Sequence, residues 1–339
     1  MVVEMRAAPI NPADLNAIEG KYPGKREVPA VPGFEGSGIV AELGKNVSKL
    51  TIGSLVILPH ELGTWREACA VKAEQLVVVP SEIDPVQAAM VKINPLTAWR
   101  LLHGYVELKA GDWVIQNAAN SAAGRAVIQI AHALGYKTVN VVRREELIEE
   151  LRSEGGDIVL VDGENLRDEV KKSTGGAPIG LGLNAVGGES ALRLMNCLAA
   201  SGTLVTFGAM SLQPLKIPNG LLIFKDLRFR GIWINKWYDS ATPAERMAAF
   251  NPIFDMAGRG LLQTKIEKSY PLIEAKAAVE HAARPQRGGK IIFEFGPTKG
   301  TGDAKSPAAT RFILGLSSFS WACSVSNEEA KGNRRWCGD

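Results

Sequence analysis

The sequence has few cysteines, little excess charge and no long apolar run, and each shortage excludes a class of protein. Four cysteines stand far apart in 339 residues without a CxxC pair, which argues against a disulfide framework and a zinc ribbon. With 39 basic and 36 acidic residues the formal charge is +3, too small to suggest a nucleic-acid or polybasic membrane contact. No apolar run approaches the roughly 20 residues that span a bilayer, and no targeting segment opens the chain. We therefore expect a cytoplasmic protein.

The length and the periodicity of the chain predict an α/β architecture with more than one domain. The chain is too long for one ordinary domain, and 46% of its residues are hydrophobic. Between residues 111 and 208, short β-branched runs alternate with segments of helical period, as in a doubly wound parallel sheet. The predicted strands are 112–116, 138–142, 158–161, 179–185 and 203–207, and the predicted helices are 122–134, 145–153, 166–173 and 190–200. Gly135, Gly155 and Gly202 are expected in left-handed turns where helices end.

The two ends of the chain differ from this middle segment. Residues 1–90 place proline and glycine at short intervals between strand-like pieces at 37–42, 54–58 and 75–79, which predicts a small all-β module. One more strand, at 290–295, is expected to return to that module. We therefore predict a catalytic domain over 1–94, a nucleotide-binding domain over 95–260, a return to the first domain over 261–296, and a disordered tail over 297–339.

A candidate dinucleotide site follows the first strand of the parallel sheet. The pyrophosphate of a dinucleotide binds where a helix begins, held by backbone N–H groups and the helix dipole, and small residues let the backbone approach it. Only Gly124 is a glycine here, so the motif is weak by itself. The residues predicted to hold the pyrophosphate are Asn120, Ser121, Ala122, Ala123 and Gly124.

The end of the second strand indicates which dinucleotide binds. Arg143 lies 19 residues after Gly124 (143 − 124), where an acidic residue would bind a ribose 2′-hydroxyl and an arginine suits a 2′-phosphate. Arg143 and Arg144 therefore favour NADPH. The alternative is that both arginines are solvated surface charges, and the adjacent Glu145 could offset one of them.

Several strings in the sequence make a more specific match. Segments 8–15, 20–23, 63–66, 93–98 and 222–227 resemble the mitochondrial-type trans-2-enoyl-CoA/acyl-carrier-protein reductases, from the zinc-free branch of the medium-chain dehydrogenase/reductase superfamily. The likeness covers about residues 5–296. It implies a GroES-like catalytic module and a Rossmann module, with NADPH and an enoyl-CoA or enoyl-ACP substrate in the cleft between them, usually in a homodimer. Within this resemblance Met1 falls where the first strand of the family is ending, so the opening hairpin is expected to be missing.

The same resemblance implies that no zinc binds and assigns a catalytic residue. Phe34 stands where zinc-binding relatives carry a histidine ligand. Tyr22 matches the catalytic tyrosine, and a phenol with a reference pKa of about 10 stays protonated at neutral pH, so it can donate as an enolate forms on the substrate. The structural alternative is a turn tyrosine, since Pro23 and Gly24 follow it.

Further cofactor contacts are implied in the same way. Asn94 matches an asparagine that holds the nicotinamide ribose or carboxamide, and Asn-Pro is also an ordinary helix start. Trp233 is either a wall of the acyl pocket or a core tryptophan. The four histidines show no spacing typical of a metal site or a proton relay. The resemblance implies the remaining contacts at Ile232, Trp233, Ile234 and Lys290. Contacts at Phe207, Gly208, Ala209 and Met210 are expected because these residues follow the last strand of the parallel run, where ligands of such sheets bind.

Two other functions remain open at this point. A zinc-free quinone oxidoreductase would share the fold and NADPH. A non-catalytic NADPH-binding protein, or an inactive fragment, would fit a chain without its opening hairpin. The mitochondrial matrix is the alternative location if a targeting segment has been lost from the start.

Overall fold

A computed structural model describes residues 1–24, 28–48 and 50–296. The tail that was expected to be disordered, 297–339, lies outside the described residues. Among the described residues no helix is both long and apolar enough to span a membrane. Cys69 and Cys197 carry free thiols.

The first part of the chain forms strands that are short and irregularly spaced. Their apolar side chains, among them Val3, Met5, Val40 and Val56, pack into one buried cluster. Two helices accompany the strands, α1 (Pro12–Ile18) and α2 (Pro85–Ala88), so the expectation of an all-β module was wrong. Both helices begin at a proline, whose fixed φ suits the first helical turn. The strands are β1 (Val2–Pro9), β2 (Ser37–Glu42), β3 (Leu55–Ile57), β4 (Ala68–Ala70) and β5 (Val77–Val78).

The middle of the chain alternates helix and strand, as predicted. Its elements are α3 (Asn94–His103), β6 (Trp113–Asn117), α4 (Ala122–Leu134), β7 (Lys137–Val142), α5 (Ile148–Ser153), β8 (Ile158–Val161), α6 (Leu166–Ser173), β9 (Ile179–Asn184), α7 (Gly188–Cys197), β10 (Thr203–Thr206), α8 (Asn219–Ile223), β11 (Arg228–Gly231), α9 (Ile234–Ser240) and α10 (Pro243–Gly258).

In the described residues, β6 to β11 form one parallel sheet of six strands in the order β8-β7-β6-β9-β10-β11. Neighbouring residues of one strand face opposite sides of the sheet. Val114 accordingly joins a cluster with Val127 of α4, and Ile115 joins another with Leu194 of α7. Burial on both faces explains why the inner strands are mostly apolar.

The chain then returns to the first sheet through β12 (Ile266–Tyr270), α11 (Ala275–Ala283) and β13 (Lys290–Glu294). Strand β13 pairs antiparallel with β1 and parallel with β12. Strand β1 pairs with β2, β4 and β13, which makes it a central strand of the seven that the structure describes in this sheet. The predicted α/β class, with a GroES-like sheet and a doubly wound parallel sheet, is confirmed.

Several details of the predicted sheet need correction. Six strands form it where five were expected, because β11 has two arginines and lies at an edge, so it lacks the apolar run that marks a buried strand. Helix α7 spans Gly188–Cys197 and not 190–200. A 3-10 turn over Glu145–Leu147 precedes the α-helix that was predicted from residue 145.

Two of the three glycines expected in left-handed turns adopt that conformation. Gly135 and Gly155 have φ of 75° and 102°. Beside Gly202 the left-handed residue is Ser201, with φ of 57°, and its N–H donates to the Lys225 carbonyl at 2.7 Å. Gly202 is needed for a different reason, since a Cβ there would lie 2.9 Å from the Ala199 carbonyl oxygen.

Candidate functional site

The carboxyl ends of all six parallel strands lie at one edge of the six-stranded sheet. Strand order reverses between β6 and β9, and ligands of doubly wound sheets bind at such a crossing. Arg143 directly follows β7, residues 207–210 follow β10, and residues 232–234 follow β11. The predicted cofactor residues of this sheet are therefore brought together at one edge.

The loop between β6 and α4 has the geometry of a pyrophosphate site. Ser121 is the N-cap of α4 and its hydroxyl accepts the Gly124 N–H at 3.1 Å. A Cβ on Gly124 would lie 2.5 Å from the carbonyl oxygen of Ala119, so only glycine allows this approach. Arg125 donates to the Asn120 carbonyl at 3.2 Å. This compact loop places the positive end of a helix dipole where a dinucleotide phosphate would bind.

Asn117, at the end of β6, links this loop to β9. Its amide nitrogen donates to Asn184 at 2.9 Å and its oxygen accepts the Ala185 N–H at 2.7 Å. Asn117 and Asn184 are buried. The bonds fix the two strand ends on either side of the crossing. Sequence reasoning missed this pair because the two asparagines are 67 residues apart in the chain.

The two arginines after β7 have different surroundings. Arg143 is exposed, whereas Arg144 forms an ion pair with Glu146 at 3.1 Å. The carboxylate that offsets a charge here is therefore Glu146, and not Glu145 as suggested. Arg143 is the better placed of the two for a 2′-phosphate.

Tyr22 and Trp233 meet although they come from opposite parts of the fold. Tyr22 follows α1, and its backbone N–H donates to the Asn16 carbonyl at 3.1 Å. Trp233 follows β11, and its indole N–H donates to the Tyr22 hydroxyl oxygen at 2.8 Å. Trp233 is 43% exposed, so the alternative of a buried core tryptophan was wrong. The contact therefore joins the part of the chain that carries the first sheet to the carboxyl edge of the parallel sheet.

Phe34 supports the other side of the tyrosine. The two ring centroids are 5.1 Å apart. The Phe34 N–H donates to Asp14 at 2.9 Å, and its carbonyl accepts from Lys92 at 3.4 Å. The backbone of Phe34 is therefore anchored from both sides.

Beneath Phe34 lies a buried polar cluster that sequence reasoning mostly missed. Glu35 accepts from the Asn11 amide at 2.9 Å and from the Ile93 N–H at 2.8 Å. Asp14 accepts the Asn11 backbone N–H at 2.7 Å. All of its members are at most 6% exposed. We call this set the buried cluster, and it consists of Asn11, Asp14, Glu35, Lys92 and Lys290.

Burial shifts the pKa of every charged group in the buried cluster toward its neutral form. It raises the pKa of Asp14 to about 7, against the hydrogen bond from the Asn11 N–H, and it raises the pKa of Glu35, against the charge of Lys290. It lowers the pKa of Lys92 to about 7 and that of Lys290 to about 8, where Glu35 opposes the shift in both. Strongly shifted pKa values in a cleft are typical of functional sites.

Two predicted cofactor residues contact Asn11 in this cluster: Asn94, which lies beside it, and Lys290, which is one of its members. Asn94, the first residue of α3, donates its amide to the Asn11 side-chain oxygen at 3.3 Å. Lys290 donates to the same oxygen. The Asn-Pro helix start is therefore also correct. Asn11 connects both residues, and its only sequence signal was its place in segment 8–15.

A second group of side chains lies around His60, near a cavity of about 330 Å³. The His60 Nε2 atom is 3.4 Å from a Glu61 oxygen and 3.5 Å from an Asp239 oxygen. Three such atoms could hold a metal ion, a grouping that histidine spacing did not predict because Asp239 is distant in sequence. Lys92 and Arg246 each lie 4.6 Å from the Tyr238 ring beside it, and their charges offset the two carboxylates.

The two sheets, together with the carboxyl edge of the parallel sheet, define a medium-chain dehydrogenase/reductase. The family described as "Alcohol dehydrogenase GroES-like domain" matches residues 1–81, and the family described as "Zinc-binding dehydrogenase" matches residues 122–249.

Relatives that match most of the chain show which family within this class it belongs to. The chain is 40% identical over 302 residues to the mitochondrial enoyl-[acyl-carrier-protein] reductase of Dictyostelium discoideum, covering 87% of this chain and 86% of that one. It is 42% identical over 297 residues to the human enzyme of that name, covering 86% and 80%. The chain belongs to the family of the mitochondrial enoyl-[acyl-carrier-protein] reductases, as its sequence strings indicated.

Solved structures of similar proteins agree. A complex of Etr1p with NADP and crotonyl-CoA superposes with a TM-score of 0.80 at 29% identity, covering 87% of this chain and 90% of that one. A putative NADPH:quinone reductase from Bacillus thuringiensis also gives 0.80 at 29%, covering 86% and 89%. The Etr1p/Etr2p heterodimer of Candida tropicalis gives 0.78 at 29%, covering 87% and 90%.

Proposed function

We propose that this chain reduces trans-2-enoyl thioesters to saturated acyl thioesters with NADPH, as in fatty acid synthesis. The observation that carries the proposal is the Tyr22–Trp233 hydrogen bond of 2.8 Å. Trp233 follows β11 at the carboxyl edge of the parallel sheet, which supports a phenol beside the proposed dinucleotide site. The relatives are named for this activity, and the Etr1p structure holds NADP and an enoyl thioester.

NADPH supplies the hydride that adds to the substrate Cβ. Negative charge then develops on the thioester oxygen, and Cα needs a proton. Tyr22 is the proposed catalytic residue: its oxygen accepts from Trp233, and its own O–H donates toward the developing charge. Phe34 and Trp233 pack against the Tyr22 ring from two sides, which supports a fixed position for its hydroxyl.

The chain provides fitting partners for each part of the cofactor. Loop residues 120–124 would hold the pyrophosphate, and Arg143, with Arg144 beside it, the 2′-phosphate. Asn94 and Lys290 would hold the nicotinamide end through donors and acceptors that the buried cluster orders. The segments after β10 and β11 complete the proposed set with Phe207, Gly208, Ala209, Met210, Ile232, Trp233 and Ile234.

We assign the catalytic domain to residues 1–94 and 261–296 and the NADPH domain to residues 95–260. This division is supported by the strands of the two sheets, which fall within these limits. The relatives bear mitochondrial names, so we favour the mitochondrial alternative over the cytoplasmic location first expected from the sequence.

We also propose a homodimer formed at the open edge of β11. An exposed strand edge can pair with a second copy, and the adjacent helix α8 presents Leu222, Ile223 and Phe224 at 44%, 69% and 85% exposure. Light scattering should give twice the chain mass for the wild type, and Phe224→Glu should shift it toward the monomer. A wild type that is monomeric at micromolar concentration would exclude the proposal.

The deciding assay follows NADPH absorbance with medium-chain trans-2-enoyl-CoA and enoyl-ACP and, in parallel, with quinones. We expect turnover with a thioester. The specific alternative is quinone reduction, favoured by the likeness to the putative NADPH:quinone reductase. Turnover with quinone alone would replace the thioester assignment, and NADPH binding without any turnover would support a non-catalytic binding protein.

A further inference from the structure

Glu35 lies at the centre of the buried cluster, and the proposed chemistry gives it no role of its own. Its side chain is completely buried. Both of its oxygens accept N–H groups, one from the Asn11 amide at 2.9 Å and one from the Ile93 backbone at 2.8 Å. A protonated carboxyl would place one donor against another, so this geometry fits the carboxylate.

This carboxylate determines which way the Asn11 amide faces. A carboxylate only accepts, so the NH2 end of Asn11 must face Glu35. The Lys290 ammonium only donates, so the oxygen end of Asn11 must face Lys290. Two charged groups of opposite sign thus enforce the same orientation from opposite ends.

The orientation passes from Asn11 to Asn94. The Asn11 oxygen accepts from the Asn94 amide nitrogen at 3.3 Å, and this bond directs the NH2 end of Asn94 inward. The oxygen end of Asn94 is then the end presented to a ligand that donates, such as a carboxamide or a ribose hydroxyl. Asn94 is also adjacent to Ile93, whose backbone Glu35 holds directly.

We infer that Glu35 is a positioning residue for the reaction: through Asn11 it orients Asn94 and Lys290, so that they hold the nicotinamide end of NADPH in the geometry for hydride transfer. The inference rests on the proposed function. Burial raises the pKa of Glu35, and the charge of Lys290 and the donors from Asn11 and Ile93 oppose that rise. The ionised form is assigned from geometry, because each oxygen of Glu35 accepts an N–H group.

Glu35→Gln tests the inference directly. The introduced amide would have one donor end, and satisfying the Ile93 N–H with its oxygen would turn that donor toward the NH2 end of Asn11. The Asn11 amide would then flip and oppose Lys290 and Asn94 with a donor. We expect a roughly 10-fold weaker NADP+ affinity by calorimetry, a 10- to 100-fold lower kcat, and a larger primary deuterium isotope effect with NADPH labelled at the transferred position.

The matched rescue is the double variant Asn11→Asp with Glu35→Gln. The introduced glutamine would donate to the introduced aspartate and accept from Ile93. The other aspartate oxygen would accept from Asn94 and Lys290, so hydrogen bonds and net charge are both kept. We expect recovery of most of the NADP+ affinity and a fall in the isotope effect. Asn11→Asp alone would place two carboxylates against each other, so its NADP+ affinity should be lower than that of the double variant. Glu82→Gln, an exposed site, is the control and should match the wild type.

The inference is wrong if Glu35→Gln keeps the wild-type NADP+ affinity and isotope effect, or if the double variant binds no better than the poorer single variant. If Glu35→Gln does not fold, the double variant alone decides, since it must bind NADP+ within about 3-fold of the wild type. A wild type that binds NADP+ but reduces no thioester would overturn the proposed function, while the affinity measurements would still test the role of Glu35.

Discussion

The β6–α4 loop and the buried cluster are built in two different ways, although both belong to the proposed cofactor site. The loop is built from consecutive residues and their backbone groups. Ser121 caps α4, and Gly124 allows its backbone to lie close to the Ala119 carbonyl. The buried cluster uses side chains from segments up to 279 residues apart. Backbone groups at a helix start give affinity for phosphate with little dependence on side chains. An ordered side-chain network gives orientation, on which reactivity depends.

The largest expected effect separates reactivity from affinity. Tyr22→Phe removes the proposed proton donor but keeps the ring that packs on Phe34. We expect enoyl-thioester kcat to fall about 10²-fold or more, with NADPH affinity nearly unchanged. Steady-state rates and calorimetry measure the two quantities. Tyr136→Phe, in the other sheet's module, is the control, and an unchanged rate in Tyr22→Phe would remove this residue from the mechanism.

A second variant should damage the loop and spare the chemistry. In Gly124→Val the added atoms would meet backbone, because even a Cβ lies 2.5 Å from the Ala119 carbonyl oxygen. We expect a loss of about 1–3 kcal/mol in the free energy of unfolding and weaker NADPH binding. Denaturant titration and calorimetry measure both. Gly163→Ala has open space around it and should change neither, so equal losses in both variants would contradict this account of the loop.

A third variant should weaken the binding of NADPH and leave the binding of NADH unchanged. Arg143→Ala removes the exposed guanidinium after β7, and a charge-assisted hydrogen bond to a 2′-phosphate contributes about 1.5–3 kcal/mol before solvent screening. We expect NADPH affinity to fall about 10-fold while NADH affinity stays constant. Competition binding with both dinucleotides measures this. Arg152→Ala, whose partner is Glu149, should leave both affinities unchanged. Equal losses for both dinucleotides after Arg143→Ala would remove the 2′-phosphate role.

The smallest expected effect concerns stability alone. Glu150 accepts hydrogen bonds from Lys265 and Arg125, which lower its pKa against the opposing effect of burial. A lowered carboxyl pKa stabilises the fold above the ordinary value of 4.5, and this contribution is lost as pH falls through the folded-state pKa.

Glu150→Gln should therefore lower the free energy of unfolding by about 0.5–1 kcal/mol at pH 7, a range that allows for solvent screening. The difference from the wild type should narrow below about pH 4. Thermal unfolding at several pH values measures it. Glu149→Gln, with a side chain that is 83% exposed, should have little effect at any pH. A deficit that stays constant from pH 7 to pH 3 would exclude the charged contacts as its cause.

The parallel sheet was predicted well because its signals are local. Helix α4 has the predicted bounds, since an N-cap serine and a left-handed Gly135 delimit it. Strand β11 was missed because an edge strand needs no apolar run. Tyr22, Arg143 and the loop were predicted from resemblance and spacing and stay predictions. The contacts of Glu35 were not predicted, because nothing near Glu35 in sequence shows what its carboxylate contacts.

The sequence by itself determined the α/β class, the helix that begins at Ala122 and the family to which the chain belongs, because turn residues, periodicity and motif strings act over a few positions. Only the tertiary structure decided that Trp233 donates to Tyr22 and that Glu35, Asn11 and Lys290 share one buried site. Hydrogen bonds between distant segments depend on how the two sheets pack. No local pattern encodes them.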